Sequence, residues 1–275
     1  MVKPVATLIL QRNLPDHSDS IGDHVVRWNG DLTDVYVIES GSDPDKLSKY
    51  CKFWANWPEA IEHGLHYPRG LNYGLMELEK TQKYDFYFLL MGDTFLFPEP
   101  TVEILLEEMN QWPKFGIISP ISPDWTWEYQ SIPKGTTKCH WLGPHVCWLI
   151  RSTFLDMIKE QDNPSYMNYF YDGDNLRGYD VDSELIIKAY LKDFALAVTA
   201  KTRFVEQQDL KDRYEDVMKT EPTKLHTDLM YEEGKVWMKK KYNFESKWEM
   251  RDWAKQVYEE FMQRNPGYEQ FRLSF

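Results

Sequence analysis

The stretch from Tyr84 to Pro98, YDFYFLLMGDTFLFP, most constrains what this chain can fold into. Its apolar and aromatic run breaks only at Gly92-Asp93-Thr94 and then resumes. An apolar run with no polar alternation belongs to a strand covered on both faces, which is the signature of a central strand in an open α/β sheet. Ligands of such sheets gather at the carboxyl ends of the strands, where Asp93 falls. A carboxylate in that place also makes an ordinary turn or helix cap, so its neighbours along the chain decide its meaning.

Those neighbours repeat the pattern. Val5–Leu10 (VATLIL) reads as a first strand running into the polar loop QRNLPDHSDS, and Ser20–Asn29 has helical spacing at Ile21, Val25, Val26 and Trp28. Asp34–Ile38 is a second strand that also stops at an acidic, small-residue loop, Glu39-Ser40-Gly41-Ser42-Asp43, with a turn or short helix at Asp43-Pro44. Such a loop offers backbone N–H groups, hydroxyls and a carboxylate to a ribose and base. Arg69-Gly70-Leu71-Asn72-Tyr73-Gly74 leads into a helix at Leu75–Glu79, which returns the chain to the central strand. Beyond Asp93 come a helix in TVEILLEEMNQW, a strand at Phe115–Ser119, an irregular loop over 120–143, a strand at Val146–Ile150 and a short helix from Ser152 to Lys159. Asp180, Asp182 and Glu184 precede or open a helix over Leu185–Leu191, where capping of a positive helix end is the simplest use for them. Phe194–Thr199 makes the last strand. Alternating strands and helices define an α/β fold with a mixed sheet flanked by helices.

From about Leu210 the chain becomes charged and helix-periodic, with Pro222 and Gly234 as punctuation and Trp248, Trp253 and Phe261 on an expected buried face. The expected division is therefore 1–209 for the main domain and 210–275 for a C-terminal helical extension. Either a single large domain or this division buries a full core at a length of 275 residues.

Composition narrows the function classes. A net charge of -12 argues against a nucleic-acid-binding surface, which needs clustered Lys and Arg. The three cysteines, Cys51, Cys139 and Cys147, lack CxxC spacing and are expected as reduced thiols. No segment reaches the ~18 apolar residues of a membrane span, so a cytoplasmic protein is expected. Aromatic residues reach 15%, with 11 Trp and 17 Tyr, enough to serve both a core and sugar- or base-stacking surfaces. A phosphate-binding P-loop, a GxSxG elbow and paired Cys/His zinc spacing are all missing from the sequence.

The order VATLILQRN, VYVIESGSD, RGLNYGLMEL, DFYFLLMGDTFLFP, GPHVCWLIRSTFL and DVDSELIIKAYLKDFALAV resembles the inverting family 2 glycosyltransferases of the GT-A fold, over roughly residues 5 to 208. The resemblance implies a Rossmann-like nucleotide-diphospho-sugar transferase fold, a nucleotide-diphosphate sugar donor, a glycan or other hydroxyl-bearing acceptor and a divalent cation, Mn2+ or Mg2+. Gln11 and Asn13 then belong to the loop under the nucleotide. VIESGSD, with Glu39, Ser40, Gly41 and Ser42, matches the base- and ribose-holding segment, although Glu39 stands where the family usually has Asp. MGDT matches the metal-binding element and assigns the metal to Asp93, with Gly92 beside it where many relatives carry an acid or Asn.

The same resemblance makes Asp182 the catalytic base, since DSELIIKA carries Leu185, Lys188 and Ala189 in register. Val181 replaces the usual preceding acid, and Asp180 either compensates for it or is the base in a shifted register. A His ligand near the last strand is replaced by RFVEQQ, which leaves Glu206, or His226, as the second metal ligand. Arg69, Asn72 and Tyr73 are expected on the nucleotide side, and Trp125, Trp127, Trp141 and His145 on the acceptor side. Two readings stay open at this stage: an active transferase, and a carbohydrate- or nucleotide-binding protein that keeps the fold without turnover. A nucleotidyltransferase is a weaker third, because the glycine-rich N-terminal phosphate loop of such enzymes is missing.

Overall fold

Strands buried at every position must be sandwiched, and β1 (Val5–Gln11) is buried throughout. The computed structural model describes residues 3–124, 131–143, 145–207 and 222–273. β1 runs parallel between β2 (Thr33–Glu39) and β4 (Phe86–Met91), and β3 (Cys51–Trp54) extends the sheet beyond β2. The order 3-2-1-4 reverses direction at β1, so the ends of β1 and β4 flank a switch-point crevice.

Past β4 the sheet becomes mixed. β8 (Cys147–Arg151) pairs antiparallel with both β4 and β6 (Phe115–Ile121), while β9 (Ala195–Glu206) runs parallel to β6. The first half of β9 also pairs with β7 (Thr137–Cys139), and its last residues pair antiparallel with β5 (Thr94–Leu96). The central stretch is thus two strands, β4 and β5, and Gly92-Asp93 is the turn between them. β9 is twelve residues long and continues well beyond the expected FALAVT segment, because its outer half is needed to cover β5.

The helices lie where the apolar stripes require. α1 (Pro15–Asn29) starts at the proline, five residues before the expected start, and buries Ile21 and Val25. α2 (Pro58–His63) and β3 were not expected from the sequence. α3 (His66–Glu79) begins earlier than expected, so the RGLNYG segment lies inside the helix. α4 (Thr101–Gln111), α5 (Ser152–Ile158) and α6 (Val181–Leu191) complete the layers. α6 is buried on nearly all sides, because α7 (Thr223–Tyr242) and α8 (Lys247–Arg264) cover its outer face.

Gly234, expected as a break, lies inside α7, where a Cβ would come 2.4 Å from Tyr179. A Ser246–Glu249 capping box starts α8. Trp237, Met238, Met250, Val257, Tyr258 and Phe261 join the same hydrophobic core as the sheet. Trp253 is partly buried and Phe261 fully buried as expected, but Trp248 is 63% exposed. No described helix is long and apolar enough to cross a membrane.

Candidate active site

At the carboxyl edge of the parallel strands the polar residues first build the edge itself. Glu39, at the end of β2, is 0% exposed. Its carboxylate accepts from Ser42 Oγ at 2.7 Å, from the Ser48 N–H at 2.7 Å and from Gln11 Nε2. Burial pushes its pKa up, and these three donors counteract the push. Gln11 Oε1 accepts from the Leu14 N–H, and Ser40 Oγ from the Leu65 N–H. Gly41 has φ +76°, and a Cβ there would stand 1.7 Å from the Ala60 carbonyl oxygen, so only glycine fits. Gln11, Glu39, Ser40 and Ser42, all expected on the nucleotide, therefore spend their side chains on holding the loop at the ends of β1 and β2.

Asn13 behaves differently. It also has positive φ, its Oδ1 accepts from the Asp43 N–H at 2.8 Å, and its Nδ2 is buried without a hydrogen bond among the described residues. Gly92 presses β4 against β1 through its N–H to the Leu10 carbonyl, and a Cβ there would meet Gln11 at 3.0 Å.

Asn72 and Arg69 also bind protein. Asn72, 0% exposed, donates to the Tyr166 and Tyr171 carbonyls and accepts the Phe170 and Tyr171 N–H groups. That set uses the full capacity of the amide, so its role is to pin the 160–178 loop onto α3. Arg69 Nε donates to the Gly173 carbonyl, and its guanidinium pairs with Glu59 at 3.2 Å. Tyr73 packs its ring edge-on against Trp57.

The acidic centre lies at the β4/β5 turn. Asp93 precedes Thr94, which pairs with Glu206 across the β5–β9 ladder, and the Asp93 carbonyl accepts the Gln207 N–H. The Val146 carbonyl accepts from the Met91 N–H and from Thr94 Oγ1, which brings His145 over the same turn. Asp182, in the first turn of α6, reaches His145 Nδ1 at 3.6 Å. Burial alone would lower the His145 pKa, but Asp182, with Glu206 and Asp93 beyond it, outweighs burial and raises it. The fold therefore brings Asp93, Glu206 and Asp182, from three separate stretches, to bear electrostatically on the His145 imidazole, with Asp182 in direct reach.

Asp180 has other neighbours. It caps α6 in a left-handed conformation, accepts from Ser183 Oγ at 3.0 Å and lies 3.8 Å from Arg251 Nε of α8. Of the acceptor-side expectations, His145 is at the centre, whereas Trp141 is buried, stacked on His140 and packed against Tyr258 of α8. Trp125 and Trp127 lie outside the described residues. His226 stacks on His66 with ring centroids 5.5 Å apart, at a place where Arg12, Arg69 and Arg177 also bear on His66.

Asp93, in the β4/β5 turn, and Glu206, at the end of β9, provide two carboxylates. That donor set suits a Mg2+- or Mn2+-like ion whose remaining ligands are substrate phosphate and water. Among the described residues no three His, Cys, Asp or Glu side chains are gathered into an all-protein cage.

Sequence reasoning missed Tyr67. Its ring lies 4.5 Å from that of His145 and its hydroxyl 2.5 Å from the Tyr171 hydroxyl. No local spacing signals it, because its partners are about 80 and 100 positions away along the chain.

A switch-point crevice with carboxylates at the strand ends, beside an antiparallel extension and a helix opened by an aspartate, is a GT-A-type fold. Two solved GT-A-type glycosyltransferases share it. S. aureus TarS superposes with a TM-score of 0.54 at 12% identity, over 96% of this chain and 43% of TarS. GalNAc-T7, solved with UDP, GalNAc and Mn2+, superposes with a TM-score of 0.57 at 10% identity, over 95% of this chain and 56% of that one. The chain thus spans about half the length of either structure. No protein-family model and no curated protein matches the sequence.

Proposed function

We propose that the protein is an inverting glycosyltransferase that moves a hexose from a nucleotide-diphosphate sugar to an acceptor hydroxyl on a glycan. The observation that carries this reading is the contact of Asp182 with His145 beside the β4/β5 turn, where Asp93 and Glu206 stand next to each other across the β5–β9 pairing. Within it, Asp182 is the base. The acceptor oxygen attacks the anomeric carbon as its proton passes to an Asp182 carboxylate oxygen, while the bond from that carbon to the diphosphate oxygen breaks. One displacement from the face opposite the leaving group inverts the anomeric centre. His145, kept more protonated than an ordinary histidine, offsets the repulsion among the three carboxylates and positions Asp182.

Asp93 and Glu206 would hold Mn2+ or Mg2+, which when bound supplies Lewis-acid stabilisation of the departing diphosphate. The buried Nδ2 of Asn13, at the end of β1, is a donor suited to the nucleoside. The free thiols Cys51, Cys139 and Cys147 support a reducing, cytoplasmic setting.

The competing reading, a carbohydrate- or nucleotide-binding protein without turnover, draws on one observation: Glu39, Gln11 and Asn72 are all spent on internal bonds. A hydrolysis and thermal-shift screen against UDP-, GDP-, CMP- and dTDP-sugars, with and without Mn2+, separates the two, since a native-state ligand raises stability by mass action. The transferase releases one nucleoside diphosphate in a metal-dependent manner. Asp182→Asn is expected to lower transfer at least ~10³-fold while the nucleotide-induced shift in Tm persists. A nucleotide shift with no turnover in the wild type would favour the binding protein, and no shift with any nucleotide sugar would remove the donor assignment.

A further inference from the structure

The most exposed aromatic side chain among the described residues is Trp248, at the start of α8, with 63% of its surface open. It lies on a helix whose opposite face is fully buried, so burial does not account for it. Its surroundings are specific. Lys247 Nζ and Arg251 Cζ each lie 5.3 Å from its ring centroid, so two cations sit over the indole ring. The same two cations lead toward α6. Lys247 Nζ is 5.8 Å from the Tyr179 ring centroid, and Arg251 Nε is 3.8 Å from Asp180 Oδ1, two residues before Asp182. Tyr179 meets the half-exposed Tyr231 of α7 edge to face at 4.9 Å. Lys247, Arg251 and Tyr179 thus link the exposed indole to the N-terminal end of α6.

We propose that Trp248, with Lys247 and Arg251, is a carbohydrate-binding platform that holds a sugar unit of the acceptor beyond the one presented to Asp182. The open part of the indole matches the flat C–H face of a pyranose, and the ammonium and guanidinium groups that lie over the ring are donors for the sugar hydroxyls. A nucleobase is the other flat ligand, but the loop proposed for the nucleotide is at the ends of β1 and β2, whereas this platform adjoins the N-terminal end of α6. The proposal rests on the transferase reading only for the identity of the glycan as acceptor.

The test is affinity electrophoresis of the full-length wild type, Trp248→Ala and Trp248→Phe through gels containing soluble β-glucan, α-glucan, glycol chitin or mannan. Donor hydrolysis by the three proteins is measured in parallel. One polysaccharide is expected to retard the wild type, with at least a tenfold weaker dissociation constant for Trp248→Ala and a smaller loss for Trp248→Phe. Tm and donor hydrolysis are expected to stay unchanged, since the side chain is mostly in solvent. No retardation of the wild type by any of the four, or equal retardation of Trp248→Ala, overturns the proposal. Loss of UDP binding in Trp248→Ala also overturns it and marks a base-stacking site instead. Trp248-dependent retardation in a protein that hydrolyses no donor leaves the platform standing and removes the transferase reading.

Discussion

Asp180 and Asp182 differ by two positions and by nearly everything that surrounds them. Asp182 is partly open and faces His145, while Asp180 is buried at the junction with α8, with Oδ2 receiving no hydrogen bond from the described residues. Burial, followed by repulsion from Asp182, pushes the Asp180 pKa up to about 7, against the pull of Arg251. A carboxyl group whose pKa is higher in the folded state binds its proton more tightly there, so it costs stability as pH rises from its unfolded value near 4 towards 7. Asp180→Asn is therefore expected to raise Tm relative to wild type by an amount that grows between pH 4 and 7 and is constant above. A calorimetric series across that range checks it, and a stabilisation that shrinks with rising pH would contradict the assignment. The DVDSE pattern marks both acids as candidates for the base, and the sequence leaves the choice between them open. The neighbours that tell them apart, His145 and Arg251, lie about 35 and 70 positions away along the chain.

At the scale of elements, α3 shows why a glycine-rich segment that reads as a loop folds as helix. Gly70 faces Leu10, and Gly74 faces Ile38, where an added Cβ would stand 2.1 Å from Cδ1 and 2.5 Å from Cγ1. The glycines allow α3 to lie close on β1 and β2, and that packing outweighs their helix penalty of about 1 kcal/mol each. Gly74→Ala gains that propensity but overfills the contact, at a cost of about 1–3 kcal/mol. A net loss of stability in urea unfolding is expected, with partial rescue in Gly74→Ala/Ile38→Val, which removes the clashing Cδ1. Additive effects of the two substitutions would show that the contact is not the cause. The strands β1, β2 and β4 were legible because their residues are apolar wherever both faces are covered. β3 was not, because a short strand with Cys51, Lys52 and Trp54 only half covered or exposed has no such run.

For the whole molecule, the two C-terminal helices decide how α6 is held. α8 places Tyr258 and Phe261 against Tyr190 of α6, and α7 reaches Glu184 through Tyr242 and Lys241. Glu184 is buried; burial would raise its pKa, but Lys188 and Lys241 hold it below the ordinary value. Full-length protein is expected to unfold in one cooperative transition by calorimetry, with equal calorimetric and van't Hoff enthalpies. A chain ending at Gln207 exposes Tyr190 and the outer face of α6, and is expected to lose near-ultraviolet circular dichroism and bind a hydrophobic dye. Retention of a sharp transition by that shortened chain would show that the sheet domain is stable alone.

By itself the sequence determined which segments are strands and helices wherever burial leaves a periodic or unbroken apolar trace. It also determined that acidic residues stand at strand ends, since both are properties of neighbours along the chain. The tertiary structure alone decided what those residues do. Glu39 and Asn72 became scaffolding because their partners approach from other segments, Asp182 rather than Asp180 met His145, and Trp248 was left in solvent while Trp141 was buried. Such outcomes depend on contacts between residues far apart in the chain, and local spacing carries no record of them.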